Sequence, residues 1–93
     1  SPPTTADFQR ELDRIFRVAR DQHLSHIDIV SRELHREFGG YPGTDHRMPT
    51  CCNVMLNNMQ AGDEVLYFRL KVADNIEDQV SNSEMIVLLS RNL

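Results

Sequence analysis

Ninety-three residues with 40% hydrophobic and 26% charged side chains specify one folded domain, close to the size at which a single apolar core suffices, and exclude wholesale disorder. The length excludes most complete enzymes, so a binding module leads from the start. A net charge of −4 excludes a general nucleic-acid sponge, though not a specific reader with a few placed contacts.

No apolar run approaches the roughly 20 residues of a membrane span. Ser1-Pro2-Pro3-Thr4-Thr5 also lacks the apolar stretch of a secretory leader, and the missing initiator methionine suggests an excised module. Cys51 and Cys52, being adjacent, cannot build a disulfide framework and fit a reducing cytoplasm. The charge is uneven. Residues 1–22 balance four Arg against four acids, residues 49–62 carry no charge, and 63–93 set three basic against six acidic side chains.

Phe8, Leu12, Ile15, Phe16 and Ala19 recur at helical spacing, and Thr4 or Thr5 can cap their start, which predicts a first helix over 5–21. Ile27 and Ile29 alternate, whereas Val30, Leu34 and Phe38 fall four apart. These two patterns predict a short strand at 26–29 and a second helix at 31–38, with Ser31 as its N-cap and Gly39-Gly40 as its stop. Tyr41 to Asp45 is turn chemistry, and Pro49 suits the first turn of a third helix. That helix would bury Cys52, Met55, Leu56 and Met59, turn Thr50, Asn53 and Asn57 outward with Asn58 at the margin, and close at Ala61-Gly62-Asp63. Residues 64–72 read as a strand, 73–83 as an extended polar loop, and 85–89 as a second strand of a hairpin. The expected fold is α+β: a winged helix-turn-helix of three helices with a small two- or three-stranded antiparallel sheet over 6–93, after a flexible segment at 1–5.

In a helix-turn-helix the second helix of the unit meets base edges in the major groove. Asn offers adenine a donor and an acceptor together, and Thr can touch a thymine methyl. Thr50, Asn53 and Asn57 are therefore the candidate base readers, and His46 and Arg47 stand where they can grip a phosphate or a base. The plainer account is a solvated Asn-rich face, with His46 and Arg47 capping a turn. For zinc, His23-x-x-His26 is the only spaced pair, and adjacent Cys51 and Cys52 diverge on a helix, so one buried and one near-surface cysteine is the better account. Cys–His catalysis lacks an orienting third group, and no glycine motif here cradles phosphate. Asp74, Glu77, Asp78 and Glu84 lack the glycine and terminal glutamate of a calcium loop. No catalytic residue, metal or cofactor is assigned.

The runs Ser31-Arg32-Glu33-Leu34-His35 and Gly39 to Met55, with Asp45-His46 leading into the third helix, resemble winged-helix modules fused to bacterial modification-dependent restriction endonucleases, including those that sense N6-methyladenine. Asp63-Glu64-Val65-Leu66 then opens the hairpin wing. The resemblance implies a cytoplasmic module that binds double-stranded DNA, the adenine-methylated form included, for a fused or associated nuclease. Met48, Pro49 and Val54 would offer an apolar pocket for the methyl group. Phosphate contacts would fall to Arg47, Arg32, Arg36, Arg69 and Lys71, because the wing at 73–84 holds four acids and no base, and the third helix has no basic residue. That acidic wing favours the alternative of a winged helix used for protein–protein assembly.

Overall fold

Thr4 opens the first helix, α1 (Thr5–Asp21), through a capping box: its hydroxyl accepts from the Asp7 N–H while the Asp7 carboxylate accepts from the Thr4 N–H. The computed structural model describes residues 1–39, 46–75 and 80–93, with the side chains of 70–84 outside the description. Phe8, Leu12, Phe16 and Ala19 are buried along one stripe of α1, as their spacing predicts. The helix ends in a Schellman arrangement: the His23 N–H donates to Arg20 O and the Leu24 N–H to Ala19 O. His23 takes φ +56° there, a left-handed conformation that a side chain disfavours. His23→Gly should therefore raise stability by up to about 1 kcal/mol, the relief of the left-handed strain being partly offset by a freer unfolded chain. The urea midpoint reads this, and an unchanged or lower midpoint would count against it.

Strand β1 (His26–Val30), helix α2 (Ser31–Arg36), helix α3 (Met48–Asn57) and strands β2 (Glu64–Asn75) and β3 (Val80–Asn92) complete the order α1-β1-α2-α3-β2-β3. Three helices and a three-stranded antiparallel sheet in this order make an α+β domain consistent with a winged helix. The central strand is β3, flanked by β1 and β2. Ile29 and Val65 both lie opposite Leu89, and Tyr67 lies opposite Val87, so these side chains share the sheet face that meets the helices. That face joins Phe8, Leu12, Phe16, Leu34, Met48, Cys51 and Met55 in one core. On the other face, Leu66 and Phe68 remain 59% and 38% exposed. No described helix is long and apolar enough to cross a membrane.

The structure corrects several expectations. Residues 73–75 and 80–83 are strand rather than polar loop, because Ala73, Asp74 and Asn75 pair with Asn82, Ser81 and Val80 past a bulge between Lys71 and Ala73. Polar composition did not prevent pairing, since the ladder is made by backbone N–H and C=O groups whatever the side chain. The turn expected over Tyr41–Asp45 lies outside the described residues, as do 76–79. Helix α2 stops at Arg36, and Gly39 at φ +70° turns the chain two residues after the C-cap. Ser31 is the first helical residue rather than the N-cap, which is Val30. Buried Ser31 instead accepts from the Val87 N–H at 3.1 Å and ties α2 to β3. The core face of α2 is Ser31, Leu34 and His35, with Phe38 at 38% exposure beyond the helix end.

Candidate nucleic-acid interface

Pro49 sits in the first turn of α3, where its missing N–H costs nothing. Thr50 is half-buried and Asn53 and Asn57 are exposed, so the outward face of α3 carries polar, uncharged side chains. The inward face is Met48, Cys51, Cys52, Val54 and Met55. Both cysteines are buried, at 0% and 6% exposure, so the expected near-surface thiol does not exist. Cys51 Sγ donates to Ser31 O and Cys52 Sγ to Met85 O, and burial pushes the Cys51 thiol up to about 12. Val54 at 3% and Met48 at 1% exposure belong to the core, so a surface methyl pocket from Met48, Pro49 and Val54 does not form.

The helix is shorter than its apolar spacing suggested. Asn58 follows its last residue, and its Nδ2 donates to Val54 O and to Gln9 Oε1, drawing the side chain inward and away from any reading face. Met59 then lies outside the helical register and is 53% exposed, while Leu56 is only half-buried.

His46 and Arg47 stand at the mouth of α3. The Arg47 N–H donates to His35 Nε2 at 2.7 Å, and the Met48 N–H donates to His46 Nδ1 at 3.2 Å. Two N–H groups that a helix start leaves unpaired thus find imidazole acceptors. His35 is fully buried against the Phe8 ring, with centroids 5.2 Å apart. The sequence places it only in the run Ser31 to His35 that carries the resemblance; its position one residue after Leu34, beside the apolar stripe of α2, is the signal that could have found it. Arg47 also donates from Nη1 to His46 O. Both side chains are half-buried; the His46 ring serves the helix start, and the Arg47 side chain does not cap it.

The remaining candidates are spread more widely. Arg32 is half-buried at the start of α2 and Arg36 exposed at its end. Arg69 is exposed on β2, opposite Met85, on the sheet face that α3 packs against. The Lys71 side chain lies outside the described residues, as do those of Asp74, Glu77, Asp78 and Glu84. The structure thus gathers Thr50, Asn53 and Asn57 along one helix with His46 and Arg47 just before it, while Arg32, Arg36 and Arg69 belong to other elements.

Two polar clusters involve none of these candidate residues. Asp28 Oδ1 accepts from Ser90 Oγ and lies 2.6 Å from His26 Nε2, and His26 Nδ1 lies 3.1 Å from Asn92 Oδ1, so both ring nitrogens donate when the imidazole is protonated. The Asn92 oxygen and then the Asp28 carboxylate raise the His26 pKa, and the Ser90 hydroxyl and then His26 lower that of Asp28. Buried Arg91 donates from Nε and Nη2 to the two oxygens of Asp63 and from Nη2 to Asn58 O, with its guanidinium 4.1 Å from the Phe16 ring centre. Among the described residues no three His, Cys, Asp or Glu side chains gather as a metal site. Comparison with protein-family models, curated proteins and solved structures finds no match.

Proposed function

We propose that this domain binds double-stranded DNA through the outward face of α3, as the target-recognition module of a larger restriction or regulatory protein. The observation that carries the reading is the run Pro49, Thr50, Asn53 and Asn57: an outward helix face without charge, with Arg47 at its start and exposed Arg69 on the β-hairpin that follows in the chain. Amide side chains can approach base edges without repelling phosphates, and the two guanidinium groups supply charge attraction. Methylated adenine in the duplex and a fused or associated nuclease belong to the same proposal.

The test is a titration of defined duplexes, adenine-methylated and unmethylated, across a range of salt. Few basic groups border α3, so the log–log slope of affinity against salt should be shallow, about −3 to −4. Asn53→Ala should weaken binding to the preferred duplex by about 1–3 kcal/mol. Equal affinity of variant and parent for every duplex removes Asn53 as a reader, and no binding by the parent at low salt removes the DNA reading. The second reading is a protein–protein module, favoured by Leu66 and Phe68 standing exposed on the sheet face away from the helices. Under it, Leu66→Thr would disrupt a stoichiometric protein complex and leave duplex titrations unchanged.

A further inference from the structure

We infer that Tyr67, with Met85 beside it, gives the duplex-binding surface an aromatic contact that does not depend on charge. The inference rests on the proposed DNA reading and extends it from α3 to the base of the wing. Tyr67 and Arg69 are two residues apart on β2 and share one face of the strand. Their partners in the register are Val87 and Met85 on β3. Val87 is buried in the core, which places this face on the side of the helices. Cys52, on the inward face of α3, donates from Sγ to Met85 O at 3.6 Å, so α3 is seated on β3 at the edge of this patch.

Yet Tyr67 is 56% exposed and Met85 41%. A strand residue on the core side of a sheet is ordinarily covered, as Val65 partly is one step earlier. Tyr67, Met85 and exposed Arg69 therefore form a shelf on the helix side of the sheet, next to the point where α3 meets β3. Among the described residues Arg69 has no ion-pair partner, and α3 presents no acid to repel a polyanion. A phenol ring has an apolar body and a polar rim, which suits deoxyribose and the base edges above it, while Arg69 meets the neighbouring phosphate. A duplex held at α3 is thus the occupant that matches the charge of the shelf and its place next to the seat of that helix.

The two side chains should separate by salt dependence. Tyr67→Thr, which keeps a strand-forming residue, should weaken duplex binding about three- to tenfold at every salt concentration and leave the slope unchanged. Tyr67→Phe should retain affinity within about twofold if the ring carries the contact. Arg69→Gln should instead reduce the slope by about 0.9. Tyr67→Gln provides a second truncation, and circular dichroism shows which variants keep the fold. Parental affinity in folded Tyr67→Thr or Tyr67→Gln overturns the aromatic contact and leaves the α3 reading standing. A parent that binds no duplex overturns both.

Discussion

Replacing Arg91 by Met is expected to cost the fold about 3–5 kcal/mol, because it leaves the Asp63 carboxylate charged and nearly enclosed without its partner. The side chains of Asp63 and Arg91 are 2% and 8% exposed. Two parallel N–H to oxygen bonds at 2.9 Å join them, and Arg91 also pins Asn58 O and covers the Phe16 ring. The residue therefore closes the end of α3, the turn before β2 and the end of α1 in one place. Urea denaturation of R91M should show a midpoint lowered by that amount at unchanged slope. The double variant R91M/D63L should recover part of the loss, since it removes both charges. A single variant within about 1 kcal/mol of the parent would show that the pair is solvated. The same pair predicts an acid limb. Arg91, and then the Gln60 N–H, hold the Asp63 carboxyl below its ordinary value despite the opposing effect of burial. A carboxyl with a lower pKa when folded contributes stability fully above its unfolded value, near 3.9, and loses it as pH falls through the folded one. Parental stability should therefore fall below about pH 4, and R91M should show a weaker fall.

The elements were legible wherever one face is buried. Phe8, Leu12, Phe16 and Ala19 repeat with the period of a helix against a core, and both Thr4 and the end at Asp21 agree with that pattern. The hairpin tip was not legible, because its pairing rests on backbone bonds that leave no apolar alternation in Ala73, Asp74, Asn75 or Ser81 to Ser83. Ser31 misled for a related reason. A serine before an apolar stripe suits an N-cap, but here the oxygen meets a β3 N–H contributed 56 residues later in the chain. No local pattern carries that information.

The candidate interface was legible as a helix face and less so as a site. Spacing alone places Thr50, Asn53 and Asn57 together, and the structure keeps them on the outward side. It could not show that Asn58 folds back on Gln9 and Val54, or that His46 meets the Met48 N–H. Nor could alternation along β2 distinguish Val65, which packs on the core, from Tyr67 on the same face, which does not. Whether the sheet runs out from under its helices is a property of tertiary packing, and Tyr67 owes its exposure to it.

Phe8→Ala should be the most costly single truncation in α1, at about 3–5 kcal/mol. Phe8 is wholly buried, and its ring packs against His35 and, edge-on at 5.3 Å, against Phe38. His35 in turn accepts the Arg47 N–H that begins α3. Removing the ring opens a cavity beside the imidazole that orients the candidate reading helix. A domain of this length has a total stability on the order of 5–14 kcal/mol, so the loss takes a large share of it. Phe8→Leu keeps most of the volume and should cost below about 1.5 kcal/mol. Effects on binding can be separated from effects on folding. Asn53 is exposed, so Asn53→Ala should leave the urea midpoint within about 0.5 kcal/mol of the parent while lowering duplex affinity. Phe8→Ala should do the reverse: a large fall in midpoint, with affinity per folded molecule preserved if α3 keeps its seat. Should affinity per folded molecule fall together with the midpoint, the Phe8–His35–Arg47 chain would set the pose of α3 as well as its stability. A midpoint for Phe8→Ala within about 1 kcal/mol of the parent would mean that the site collapses around the truncation, and that this ring does not hold α1 and α2 together.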